Sequence, residues 1–282
     1  MTVNLRKIIE SALAKSNMPG EMHPLQLELE TVISSLLQIS RIDIYLEEER
    51  VLTDIQLKEI ETKISRLING EPLCYIIGHT QFRDIILKTG PGALIPRPET
   101  EQIIDVAARY IKNTSFVIDI GTGTGAIALS IAKEFPQTKV IGVDVSSEAL
   151  SYAIKNKEFN KIENVIFKIN DLCSGFPSDS FDIIIANLPY ISEEEYNDLP
   201  SSVSCFEPKL ALTPGKTGLE LIEKLVEQSK SVLKSNGCII LEIGYKQGKS
   251  VKEILNNANC FKKVEVLTDY KSLDRFAIGE KR

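Results

Sequence analysis

Asn187, Leu188, Pro189 and Tyr190 follow one another at the end of an apolar run, Phe181 to Ala186, and between them carry the groups needed to grip a planar NH2 centre. Asn187 offers a side-chain carbonyl oxygen. Pro189 lacks an N–H and biases Leu188 toward extended backbone, which turns the Leu188 carbonyl outward as a second acceptor. Tyr190 adds a flat aromatic face. Two acceptors beside a ring make a receptor for an NH2 group on a conjugated centre: an adenine, a cytosine or a carboxamide. The plainer alternative is an ordinary strand-ending turn.

A second constellation lies upstream. Phe116 to Ile120 reads as a buried strand, Gly121-Thr122-Gly123-Thr124-Gly125 as a tight turn, and Ala126 to Glu134 as the helix that follows. Glycine suits such a turn because the chain bends sharply and a ligand must approach without a Cβ in the way. The next strand, from Lys139, ends at Asp144, an acid placed to accept both hydroxyls of a ribose. The spacing is GxGxG, not GxGxxG. A pyrophosphate wants the third glycine one place later and a free helix N-terminus, so the pattern suits a nucleoside without phosphates, S-adenosylmethionine first, with a dinucleotide as the runner-up. Asp171 and Leu172, after a third strand at Val165 to Phe167, are candidates to accept from an adenine amino group and to pack on the base; a solvated loop acid is the alternative for Asp171.

The elements that must hold these residues follow from periodicity. Helical stripes run through Val3 to Leu13, Pro24 to Leu37 and, after a Thr53/Gln56 capping box, Leu57 to Ile68, with a break at Pro19-Gly20. Strand-like segments between Cys74 and Thr89 suggest a linking hairpin around Arg83-Asp84. Leu94-Ile95-Pro96-Arg97-Pro98-Glu99-Thr100-Glu101 is an extended segment leading into a helix that starts at Pro98, with a pocket wall as one reading. Beyond the fourth strand, residues 193 to 208 read as a polar, acid-rich loop. A helix over 218 to 233, a strand at Cys238 to Leu241, a helix at Val251 to Leu255 and strands at Val264 to Val266 and Phe276 to Ile278 complete the order. The fold class expected is α/β, a doubly wound seven-stranded Rossmann-like sheet behind a small N-terminal helical bundle. The expected organisation is a helical docking domain over 1–72, a hairpin linker over 73–93 and a catalytic domain over 94–282. Gly121, Asp144, Asp171 and Asn187 all fall at carboxyl ends of strands, where ligands sit in such sheets.

Composition narrows the function classes. With 282 residues, 43% of them hydrophobic, the chain can bury one large core and a smaller one. No apolar run reaches the length of a membrane span, and the start lacks signal or transit character, so a cytoplasmic protein is expected. Five scattered cysteines and two histidines, His23 and His79, predict no metal site. A net charge of −6 argues against a large nucleic-acid footprint.

Taken together, GEPLCYIIG at 70–78, LIPRPETE at 94–101, DIGTGTGAIALSIA at 119–132, VDVSSEAL at 143–150, ANLPYI at 186–191, EPKLAL at 207–212 and LEIGYKQ at 241–247 resemble the HemK/PrmC family over most of the chain. That family comprises protein-(glutamine-N5) methyltransferases acting on the Gly-Gly-Gln motif of class 1 peptide chain release factors. Its usual Asn-Pro-Pro-Tyr has Leu188 in second place here, a form also similar to the ribosomal-RNA adenine dimethylases. The resemblance implies S-adenosyl-L-methionine as cofactor, leaving as S-adenosyl-L-homocysteine, and binding through Gly121 to Gly125, Asp144, Asp171, Leu172 and Asn187. It implies substrate binding and catalysis by Asn187, Leu188, Pro189 and Tyr190, a release factor as partner, and a monomer. An adenine-N6 methyltransferase of RNA or DNA is the alternative.

Overall fold

The computed structural model describes residues 1–15, 24–46 and 49–282; the Pro19-Gly20 break and His23 lie outside them. The chain forms two compact units, one of Met1–His79 with Ser201–Phe206, the other of Thr80–Pro200 and Glu207–Arg282.

The first unit is helical. A short strand β1 (Thr2–Val3) leads into α1 (Leu5–Lys15), α2 (Pro24–Leu37) and α3 (Asp43–Leu46); β2 (Arg50–Val51) pairs antiparallel with β1 ahead of α4 (Asp54–Ile68) and α5 (Leu73–Ile77). Leu5 and Ile9, Leu29 and Ile33, and Ile60 and Ile64 interlock in one apolar core. Helix α4 begins at the Thr53/Gln56 capping box, in which each side chain satisfies the other residue's backbone N–H. Residues 73–77 are helical where strand was expected. Pro72 precedes the turn, Gly78 closes it at φ 81°, and the burial of Tyr75 and Ile76 overrides the β preference of Ile76-Ile77.

In the second unit β3 (His79–Phe82) and β4 (Ile85–Lys88) form the expected hairpin. Asn156, fully buried on the later helix α8 (Ser147–Asn160), ties this hairpin to the glycine turn. Its Oδ1 accepts from the Lys88 amide at 2.7 Å, and its Nδ2 donates to Lys88 O at 3.2 Å and Thr124 O at 3.0 Å. A 3-10 turn, Pro98–Glu101, then enters α6 (Gln102–Ala108).

The large sheet is built from β5 (Phe116–Ile120), β6 (Lys139–Asp144), β7 (Val165–Ile169), β8 (Phe181–Ala186), β9 (Leu233–Glu242), β10 (Phe261–Thr268) and β11 (Asp274–Lys281). Their spatial order is β10-β11-β9-β8-β5-β6-β7, with β11 antiparallel to both of its neighbours. The order reverses direction between β5 and β8, the switch point where the carboxyl ends of strands open a crevice. The remaining helices are α7 (Ala126–Glu134), α9 (Glu193–Asn197), α10 (Ser201–Ser204), α11 (Glu220–Val232) and α12 (Gly248–Asn257). Alternation along the buried strands separates two cores. Val117, Ile183, Ile185, Cys238 and Ile240 pack with α6 and α7; Ile118, Ile184, Ile239 and Leu241 pack with α11 and α12.

Two expectations are corrected. The stretch 193–208 carries α9 and α10 where loop was expected; Ser192 and Glu195 form a second capping box, and Glu193 to Glu195 complement the dipole of its first turn. The helix expected to run to Leu233 ends at Val232, because Leu233 already pairs with Phe181 in the sheet. Among the described residues no helix is long and apolar enough to cross a membrane.

Candidate active site

All three turn glycines hold positive φ, from 57° at Gly123 to 84° at Gly125. The turn is pinned from both sides. The Thr122 amide donates to Val143 O at 2.9 Å, and the Thr122 hydroxyl donates to Asp119 Oδ2 at 2.6 Å. Asp144, at the end of β6, accepts from the Gly123 amide at Oδ2 and from the Ser146 amide at Oδ1, both at 2.9 Å. Burial raises its carboxyl above the usual range, and these amides pull it back. Gly125 caps α7 at a φ that L residues rarely adopt, and a Cβ there would crowd Leu129 and Phe167 at 3.0 Å.

Across the switch point, Asn187 leaves β8 with its Nδ2 donating to Thr100 Oγ1 at 3.1 Å. That commitment leaves Oδ1 as the atom the side chain has to offer. The Leu188 side chain is buried over the turn, its Cδ2 within 3.2 Å of where a Gly121 Cβ would stand. The Tyr190 carbonyl accepts from Gln247 Nε2 at 2.9 Å, which fixes the backbone beyond Pro189.

These ends of β5, β6 and β8 surround a cavity of about 400 Å³, a size that suits a nucleoside-class ligand with part of a substrate. Gly121 to Thr124, Asp144, Asp171, Leu172, Asn187, Leu188 and Pro189 all line it. Gly125 and Tyr190 are not among the lining residues; the first packs against Leu129, Phe167 and Ala153 and the second is half-buried. Asp171 is exposed and pairs with Lys224 at 2.5 Å, while Leu172 is buried at φ 50°. The segment that runs into LIPRP also lines the cavity, through Gly92, Ala93, Leu94, Pro96 and Arg97, with Pro208, Leu210 and Ala211. Glu207 holds it: its buried carboxylate accepts from the Ile95 amide at 3.1 Å and from the Arg97 guanidinium.

Three residues outside the sequence-based candidates belong to this arrangement. Thr100 lines the cavity, and hydrogen bonding from it acts to lower the carboxyl of Glu242, which is 2% exposed at the end of β9, against the larger effect of burial. Asp119, fully buried under the turn, also accepts from the Ala128 amide at 3.2 Å. Burial pushes both carboxyls up to about 7. The signal available for each was a single acid inside an otherwise apolar strand.

The lining tests which group fits. Its charged side chains are Arg97, Asp144 and Asp171; the glycine turn faces an acid and no lysine. A pyrophosphate would meet repulsion there, whereas ribose hydroxyls find an acceptor in Asp144, and a base finds apolar cover in Leu172 and Ile127. S-adenosylmethionine therefore fits the residues present. No cysteine, histidine or lysine lines the cavity, so its chemistry is orientation and hydrogen bonding.

Residues 111–275 match a family described as a methyltransferase domain, and residues 6–78 match the PrmC N-terminal domain. A release factor glutamine methyltransferase of Thermodesulfovibrio yellowstonii is 37% identical over 90% of this chain and 92% of its own. Its counterpart in Lactococcus lactis is 39% identical over 88% and 92%, and that of Koribacter versatilis 35% identical over 99% of both chains. Among solved structures, a Pyrococcus furiosus methyltransferase superposes with a TM-score of 0.54 at 20% identity, covering 81% of this chain and 99% of its own. M. jannaschii TYW2 in complex with AdoMet gives 0.51 at 15% identity, covering 72% of this chain and 84% of its own. These two likenesses establish the fold.

Proposed function

Because this chain belongs to the release factor glutamine methyltransferase family, we propose that the cavity between the glycine turn and Asn187 is where the side-chain amide of a release-factor glutamine receives its methyl group. The enzyme is an S-adenosylmethionine-dependent methyltransferase acting on glutamine of a release factor. When bound, S-adenosylmethionine supplies an electrophilic methyl group on a sulfonium centre. In our reading the glutamine is that of the Gly-Gly-Gln motif, the methylated atom is its amide nitrogen, and the protein works as a cytoplasmic monomer.

The observation that carries the reading is the commitment of Asn187 Nδ2 to Thr100. An amide nitrogen is a poor nucleophile because its lone pair is delocalised into the carbonyl. Asn187 Oδ1 and the Leu188 carbonyl accept its two N–H groups, and the nitrogen is held with its remaining electron density toward the methyl donor; Tyr190, outside the lining, fixes the backbone beyond Pro189 through its carbonyl. Such orientation contributes up to about 7–11 kcal/mol in favourable cases, and fixed acceptors favour the positive charge that grows on nitrogen. Gly121 to Thr124 and Asp144 hold the cofactor's ribose side, with Asp171 and Leu172 at the base. Leu94, Pro96, Pro208 and Leu210 supply apolar wall.

The test is incubation of the purified protein with methyl-labelled S-adenosylmethionine and a release factor, intact or with its motif glutamine replaced. Label should enter only the intact factor, and peptide mass spectrometry should place one methyl on that glutamine. Label in RNA, or in the glutamine-free factor, would overturn the reading.

A further inference from the structure

Glu242 ends a strand whose preceding residues, Cys238 to Leu241, are all buried and apolar. Its Oε2 has no hydrogen-bond partner in the protein among the described residues, a costly condition for a carboxylate in a core. The sheet explains where it stands. Ala186 pairs with Leu241 in parallel register, so Asn187 and Glu242 come next on adjacent strands. Strand alternation sends both toward the face that α6 covers, following Ile183, Ile185 and Ile240. Thr100, 4% exposed on the turn before α6, meets both. Asn187 Nδ2 donates to its Oγ1 at 3.1 Å, and Thr100 is the hydrogen-bonding side chain that acts to lower the Glu242 carboxyl.

The order of donors follows from the chemistry. An ionised carboxylate has no proton to give, so the one proton of Thr100 goes to Glu242 and a lone pair of Oγ1 faces Asn187. Only the NH2 end of the Asn187 amide satisfies that lone pair.

We propose that Thr100 and Glu242 are positioning residues for methyl transfer: together they form a two-bond relay that locks the Asn187 amide with Oδ1 toward the substrate nitrogen. The relay rests on the reading that Asn187 Oδ1 accepts from the substrate. Turning the amide by half a revolution would set NH2 against NH2 and cancel the receptor. Arg275 faces Glu242 from β11, Glu99 from the 3-10 turn and Tyr190 from beyond β8; Arg275 favours the ionised form and Glu99 opposes it. A protonated Glu242 can donate its own proton to Thr100 Oγ1, in competition with Asn187. The relay is therefore set when Glu242 is ionised.

Full-length T100V, T100S, E242L and N187A are compared for kcat, KM for the release factor, affinity for S-adenosylmethionine and melting temperature. T100V should lower kcat 30- to 100-fold, with both affinities within threefold of the parent, and T100S should recover most of that loss. E242L should lower kcat at least tenfold without lowering the melting temperature, and should erase the rise in kcat through about pH 7 expected of the parent. T100V and E242L at parental kcat, with N187A inactive, would overturn the relay and leave the acceptor reading standing. An active N187A would overturn the acceptor reading itself. Losses that track cofactor affinity or melting temperature would make the two residues structural and also overturn the relay. Should E242L fail to fold, the contrast between T100V and T100S decides.

Discussion

Asp144 Oδ2 accepts a 2.9 Å hydrogen bond from the Gly123 amide, joining the end of one strand to the loop that follows its neighbour. The same carboxylate that would hold a ribose also sets the shape of the glycine turn. Replacing it with Asn keeps the size but puts a donor where one of two amides or a hydroxyl is donating. Loss of a hydrogen bond to a charged acceptor costs about 1.5–3 kcal/mol, so D144N should weaken S-adenosylmethionine binding roughly 10- to 100-fold by calorimetry. Saturating cofactor should restore most of the turnover.

Asn187 gives the opposite pattern. Removing its amide in N187A takes away the acceptor proposed for the reacting nitrogen, a change that costs about 10²–10³ in kcat for comparable preorganised groups. Cofactor affinity should stay within about threefold, since Asp144 and the turn are untouched. Single-turnover kinetics with a release factor, beside a cofactor titration, measures both halves.

Gly218 lies against the Tyr190 backbone. A Cβ built there would stand 2.3 Å from the Tyr190 carbonyl oxygen and 2.9 Å from Gln247 Nε2, at a φ of +80° that L residues avoid. Main chain cannot step aside as a flexible side chain can. G218A should therefore cost about 1–3 kcal/mol of stability, break the Gln247 bond to Tyr190, and lower kcat by more than tenfold. Denaturant unfolding together with steady-state assays would show it; unchanged turnover would remove Tyr190 placement from the reading.

Asp119 and Glu242 make stability depend on pH. Burial lifts both carboxyls to about 7, above the roughly 4 expected in an unfolded chain. Between those values the native state keeps protons that the unfolded chain has released, so stability is fully present below about pH 4 and is lost as pH rises toward 7. The melting temperature of the ligand-free protein should fall across that window. D119N should flatten the slope, because a neutral amide needs no proton in the buried site.

Much of this architecture was legible in the chain. Continuous apolar runs such as Phe181 to Ala186 mark strands covered on both faces, and the strand-turn-helix around Gly121 to Gly125 places a ligand by geometry alone. Segments whose propensity and context disagree were less legible. Ile76-Ile77 favours strand by itself but is helical between Pro72 and Gly78, and the glutamates of 193–195 look like a solvated loop until Ser192 is seen capping them. Thr100 and Glu242 could not be joined from sequence, since their partnership with Asn187 depends on a register between strands and on the angle at which α6 crosses them. Tyr190 was expected at the cavity surface, but it is half-buried outside the lining, its carbonyl held by Gln247.

Asn156 has a consequence for anyone who would exchange the N-terminal unit of this methyltransferase. Its three hydrogen bonds fasten the β3–β4 hairpin to the glycine turn that lines the cavity. A graft spliced after Lys88 would strip the bolts from the catalytic half, whereas one spliced ahead of Thr80 would carry them along intact.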